Sequence, residues 1–183
     1  MVAPHYRSVK GVKLTSAEAD ENTAFFAEKF GWVDYNNTEA AVALLVAGTE
    51  YLMTNNGAGA FTNKDHIPDG HGELWDTVND EFDFSSLKIG DLVLYRFDFI
   101  FNASGVNREA DINLHLGTGG GAYSLPVAHR SFKSSGAKPM GGLGFIYIGD
   151  ANTLNNGGRF KAQSDGIGDT MGNNGVAAIS FIR

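Results

Sequence analysis

Apolar and polar residues alternate with a period of two through most of the second half of the chain. In DLVLYRFDFIF, from Asp91 to Phe101, the positions Val93, Tyr95, Phe97, Phe99 and Phe101 are all apolar, while the positions between them mix Leu92, Leu94 and Ile100 with Arg96 and Asp98. In ADINLHLG, from Ala110 to Gly117, Ile112, Leu114 and Leu116 alternate with Asp111, Asn113 and His115. Successive side chains of a strand point to opposite faces, so both segments predict strands with one buried face. Further strands are predicted over Tyr123–Phe132, Gly144–Ile148, Gly158–Gln163 and Gly175–Ile182. Between them lie NASGVNRE, GTGGG, KSSGAKPMGG, GDANTLNN and SDGIGDTMGNN, which read as loops rich in Gly, Asn, Asp and Ser. Antiparallel pairing of consecutive strands is the default, Leu92–Phe101 beside Ala110–Leu116 included.

Ahead of this region the pattern differs. In LTSAEADENTAFFAEKFGW, Thr15 and Glu18 have the spacing of a capping box, and Glu18, Asp20 and Glu21 cluster where a helix dipole favours acids. Phe26 and Phe30 lie one turn apart and Gly31 is a natural stop, so one helix is predicted over Ser16–Phe30, amphipathic and with a face to pack on the body or a partner. AAVALLVAGTEYLMTNNG reads as two short strands around Ala47–Glu50, closing at Asn56-Gly57. AGAFTNKDHIPDGHG reads as a loop. Residues Met1–Lys13 carry Arg7, Lys10 and Lys13, no acid and few apolar anchors, and read as an extended arm. The expected fold class is mainly β: an antiparallel jelly-roll-like sandwich over residues 41–183, preceded by an arm and one short α-helix over residues 1–40.

Composition narrows the function. The chain has 183 residues, 43% of them hydrophobic, which is enough for a real core. A net charge of −7 argues against a general nucleic-acid binder, which needs a basic face for phosphates. The absence of cysteine excludes a disulfide scaffold, a thiolate zinc site and a cysteine nucleophile. The longest apolar run, AAVALLVAG, is far shorter than a membrane span, and no apolar leader stands at the N-terminus. The expectation is a soluble protein made in a cytoplasm, with no membrane insertion.

Candidate chemistry is sparse. Arg96, Asp98, Asp111, Asn113 and His115 fall on the polar sides of their strands. No serine among them has a nucleophile-elbow context, so they read as a shared polar surface, facing solvent or a neighbouring subunit. Asp98 and Asp111 are the one carboxylate pair to consider for glycan cleavage. His66, His71 and Glu73 in HIPDGHGE lack a third ligand at a diagnostic spacing for a metal. DANTLNNGGRFK fails the calcium-loop pattern, with Asn155 and Lys161 where Gly and Glu are required; Asp165 and Asp169 in SDGIGD could hold an ion with backbone oxygens, but such loops are most often plain turns. GTGGG lacks the Lys-Ser/Thr and the helix of a phosphate loop. No catalytic residue, metal or cofactor is expected.

Two stretches resemble a known family. GVKLTSAEADENTAFFAEKF, through Gly11, Leu14, Thr15, Glu18, Asp20 and Asn22, is similar to a segment near the N-terminus of many tailed-bacteriophage fibre and head-surface proteins. LWDTVNDEFDFSSLKIGD, YSLPVAHRSFK and IYIGDANTLNNGGRFKAQSDG resemble a β-rich domain of phage virion surface proteins. Such domains have jelly-roll or tumour-necrosis-factor-like folds. The resemblance implies a homotrimer on the virion exterior, on capsid or tail, that is not an enzyme. The expected role is a capsid decoration or cement protein bound to the major capsid protein or another virion protein. The alternative is a tail-fibre, head-fibre or receptor-binding protein contacting a host glycan or receptor. On this reading Arg7, Lys10, Lys13, Phe26 and Phe30 serve attachment, and Arg96, Asp98, Asp111, Asn113 and His115 line the subunit interface.

Overall fold

A computed structural model describes residues 15–27 and 30–181. Among the described residues, helix α1 (Ser16–Ala27) precedes eleven strands: β1 (Phe30–Asn36), β2 (Val42–Leu44), β3 (Tyr51–Leu52), β4 (Trp75–Asp76), β5 (Glu81–Phe82), β6 (Leu92–Ala103), β7 (Arg108–Leu116), β8 (Tyr123–Phe132), β9 (Gly136–Tyr147), β10 (Gly158–Ser164) and β11 (Asp169–Phe181). A short helix α2 (Ala151–Asn156) lies between β9 and β10. The strands form two antiparallel sheets. The first has the order β1-β11-β6-β9, with β2 also on β11; the second has the order β4-β5-β10-β7-β8, with β3 also on β10.

From β6 onward the chain keeps changing sheets. The turn after β6 crosses to β7 in the second sheet, the β8–β9 turn returns, and β10 and β11 again lie in opposite sheets. The expected pairing of Leu92–Phe101 with Ala110–Leu116 is therefore wrong. Both strands carry one strongly apolar face, and those faces meet across the core instead of lying edge to edge. Val93, Tyr95, Phe97, Phe99 and Phe101 face Ile112, Leu114 and Leu116, all buried. Phe160 of β10 is the hub between them. Its ring centroid lies 5.5 Å from those of Phe97 and Phe99, and 5.6 Å from those of Tyr95 and Phe82. Such offset and edge-on pairs add to the burial term.

Three further expectations need correction. The helix is described over Ser16–Ala27, and Phe30, expected as its last residue, instead opens β1 with Gly31; Val33 and Tyr35 of that strand enter the core. The sandwich thus begins at Phe30 rather than at residue 41. Gly31 is no helix stop: a Cβ there would lie 2.7 Å from Pro68, so it gives room for the 63–68 loop. That loop closes the β1 edge, with Trp32 N–H donating to His66 O (2.8 Å) and Asp34 N–H to Asn63 O (2.9 Å). Second, much of KSSGAKPMGG is strand, not loop. Gly142 of β9 faces inward, where a Cβ would lie 2.8 Å from the Phe97 ring; the glycine lets that ring lie across the neighbouring strand. Third, GDANTLNN contains α2, capped by Asp150, whose carboxylate accepts from Thr153 N–H (2.8 Å). Among the described residues no helix is long and apolar enough to cross a membrane.

Candidate assembly surface

The residues of the first sheet that do not enter the core form a second apolar layer on its outside. Register places them in rows. Trp32, Ile179, Leu94 and Phe145 lie side by side across β1, β11, β6 and β9, and Leu92 and Tyr147 lie in the adjacent row. The next row holds Asp34, Ala177, Arg96 and Leu143. Leu143 is 80% and Phe145 65% exposed, and Trp32, Tyr147 and Ile179 are also exposed. Leu94, Arg96, Leu143, Ala177 and Ile179 line a shallow, largely apolar depression of about 240 Å³. Scattered exposed apolar side chains are ordinary, but contiguous rows of them are a docking feature.

Charges border these rows. Arg96 pairs with Asp98 (3.0 Å) and Asp34 (3.3 Å). Burial pushes the Asp34 carboxyl above its ordinary range, Arg96 pulls it back, and Asp98 adds to the rise. The face therefore carries both signs beside its apolar rows.

The outside of the second sheet is built differently. Glu50 accepts from Asn113 Nδ2 (2.8 Å), sits 2.9 Å from His115 Nε2 and 3.9 Å from Lys161 Nζ. Asp111 lies 2.6 Å from His129 Nδ1 and accepts from Gln163 Nε2 (3.1 Å). Burial raises the Glu50 carboxyl, but hydrogen bonds from His115 and Asn113 and the charge of Lys161 outweigh it and leave it below the usual range. The hydrogen bond and charge of Asp111 raise the His129 imidazole. This face is a cross-strand polar ladder.

The five residues expected on one shared surface are therefore split. Arg96 and Asp98 lie outside the first sheet; Asp111, Asn113 and His115 lie outside the second, on the opposite side of the sandwich. Asp98 and Asp111 cannot flank one groove. Arg7, Lys10 and Lys13 lie outside the described residues, as does the side chain of Phe26, and Phe30 belongs to β1. His66 stacks on Trp32 (centroids 4.9 Å apart), and Glu73 holds Lys64 (2.8 Å) and the Tyr35 hydroxyl (3.3 Å). Asp165 accepts from Glu109 N–H (2.9 Å), and Asp169 is buried, accepting from Ser104 N–H (2.7 Å) and from the Ser104 and Ser164 hydroxyls. Among the described residues no three His, Cys, Asp or Glu side chains are grouped to hold a metal ion.

Sequence reasoning missed Trp32, Leu143, Phe145, Tyr147 and Ile179. A signal was present: in GLGFIYIG, Leu143, Phe145 and Tyr147 alternate with glycine and isoleucine, an apolar series on each side of one strand. A strand apolar on both sides has two faces to cover.

No family model and no curated protein matches the chain. Among solved structures, the chain is similar to PRD1 vertex protein P5 (TM-score 0.39, 13% identity, covering 85% of this chain and 73% of that one). It is also similar to the Eiger TNF of S. frugiperda (0.40, 10%, covering 85% and 94%). A third likeness is to an N-terminal part of the Clostridium thermocellum endo-1,4-β-D-xylanase 10B (0.39, 11%, covering 85% and 27%). These overlays are loose and the three proteins differ in role, so no function is read across from them.

Proposed function

We propose that this chain is a structural protein of a virion exterior that assembles as a homotrimer through the outer face of its first sheet and decorates the head. The observation that carries the reading is the pair of apolar rows around Trp32, Leu94, Phe145 and Ile179, bordered by Arg96 with Asp34 and Asp98. In a ring of three this face packs against a different part of the next copy's surface, which covers the aliphatic and aromatic side chains and meets the bordering charges with their opposites. The resemblance of the α1 segment and the β-domain to phage virion surface proteins supports the trimer and the particle location.

Light scattering on purified protein tests the assembly; a monomer at micromolar concentration overturns it. Labelling on intact particles tests the location. The second reading, a tail-fibre, head-fibre or receptor-binding protein, is favoured by the loop end remote from α1. There Gly48 N–H donates to Ser164 O and the Ser104 hydroxyl to Ile167 O, which gathers the exposed Leu45, Val46, Val106 and Ile167 at one tip. Label on the tail rather than the head selects it.

A further inference from the structure

Beyond Asp98 the outside of the first sheet changes character. The segment 37–41, which links β1 to β2, stands beside the sheet, and the two enclose a shallow groove of about 500 Å³. That size falls within the range of about 300–1,000 Å³ typical of small-molecule sites. The floor holds Ile100 and Gly172, register partners on β6 and β11. The rim carries Asn102 and Thr170, also register partners, with Asn174 at the β11 bulge and Glu39 from the linking segment. The side chains of these four rim residues make no hydrogen bond among the described residues. Asn173 also borders the groove, but its side chain, only 5% exposed, turns inward with its register partner Phe99 and donates through Nδ2 to Thr54 O (3.1 Å).

The lining decides the ligand class. It holds amides, hydroxyls and one carboxylate, with no lysine, arginine or aromatic ring. Without a cation it offers nothing to a phosphate, a sulfate or an acidic sugar. Without a ring it gives a nucleobase no stacking platform. Amide side chains present a donor and an acceptor on neighbouring atoms, which matches vicinal hydroxyls that each donate and accept. Ile100 supplies an apolar floor for the C–H face of a sugar ring. We infer that this groove is a binding site for a neutral saccharide. It lies six residues along β6 from Leu94, about 20 Å at strand rise, and two residues past Asp98; it shares the outer face of the first sheet with the assembly rows but none of their side chains.

Nitrogen-15 NMR titration with glucose, galactose, N-acetylglucosamine, maltose and lactose tests the site. At least one sugar is expected to give saturable shifts in the side-chain amides of Asn102 and Asn174 and in the backbone of residues 170–174. Gly172→Val projects a branched side chain into the floor. A Cβ at Gly172 meets Ala41 at 3.7 Å and Ile100 O at 3.8 Å, both ordinary contacts, so the fold accepts it. The variant is expected to weaken the sugar by about tenfold or more, and Asn102→Ala, which only deletes a rim amide, by a similar factor. Absence of shifts with all five sugars, shifts elsewhere on the surface, or affinity unchanged in both variants overturns the inference. Light scattering on the same samples separates it from assembly: Gly172→Val keeps the native mass, and a variant that disrupts the apolar rows keeps its sugar shifts.

Discussion

The two outer faces of the sandwich are made by the same kind of strand and meet opposite ends. Outside the second sheet, Glu50, Asn113, His115 and Lys161, and then Asp111, His129 and Gln163, satisfy one another across β7, β8 and β10. Outside the first, Phe145 and Ile179 are exposed, Leu94 is half-buried between them, and Trp32 is covered on one side by the His66 ring. A sheet in a two-layer sandwich needs one apolar face, and the second one here is the feature on which the proposed assembly rests. The difference lies in side chains alone, since both faces hang on one aromatic core around Phe160.

The comparison breaks most directly by making the first face like the second. Leu143→Glu with Phe145→Glu is expected to abolish self-association, seen as a fall to monomer mass in light scattering, with an unchanged circular dichroism spectrum because both residues lie outside the core. Retention of the assembled mass removes the first face from the interface. Next in size is Asp169→Ala at the loop end where the two sheets are tied. It strips the buried acceptor from Ser104 and Ser164 and uncovers Arg108, 3.7 Å away. The expected loss is about 3 kcal/mol in urea unfolding.

A smaller effect is expected on the polar face. Glu50→Gln keeps the shape and removes the charge that His115 and Lys161 meet, costing about 0.5–1 kcal/mol near neutral pH and leaving the oligomer mass intact. Because the folded Glu50 carboxyl sits below its ordinary range, its contribution is present above that range and is lost as pH falls through the depressed value. The stability gap between wild type and Glu50→Gln should therefore close in acid; a gap constant from neutral to acid pH contradicts the ladder. Smallest is Arg96→Ala, an exposed pair, expected to change monomer stability by less than about 0.5 kcal/mol while weakening assembly a few-fold. Unchanged assembly returns Arg96 to ordinary surface chemistry.

The long strands were legible because period-two alternation survives wherever one face is buried, as in Val93–Phe101 and Ile112–Leu116. Legibility failed where glycine carried a second meaning. Gly142 resembles a turn residue but makes room for the Phe97 ring, and Gly31 resembles a helix stop but lets the 63–68 loop approach. Glycine tells that something comes close, and only the fold tells what. Polar positions of β6 and β7 were identified, yet their grouping assumed that consecutive strands are neighbours.

Local sequence thus determined which side of each long strand enters the core, since that choice follows from side-chain polarity at alternate positions. Only the tertiary structure decided which strands share a sheet. That depends on turns that cross between layers and on distant partners such as Phe160, which brings together rings from both sheets. By the same arrangement it placed Arg96 and Asp98 on one outer face and Asp111, Asn113 and His115 on the other. It also joined Trp32, Phe145 and Ile179, far apart in the chain, into a single apolar surface.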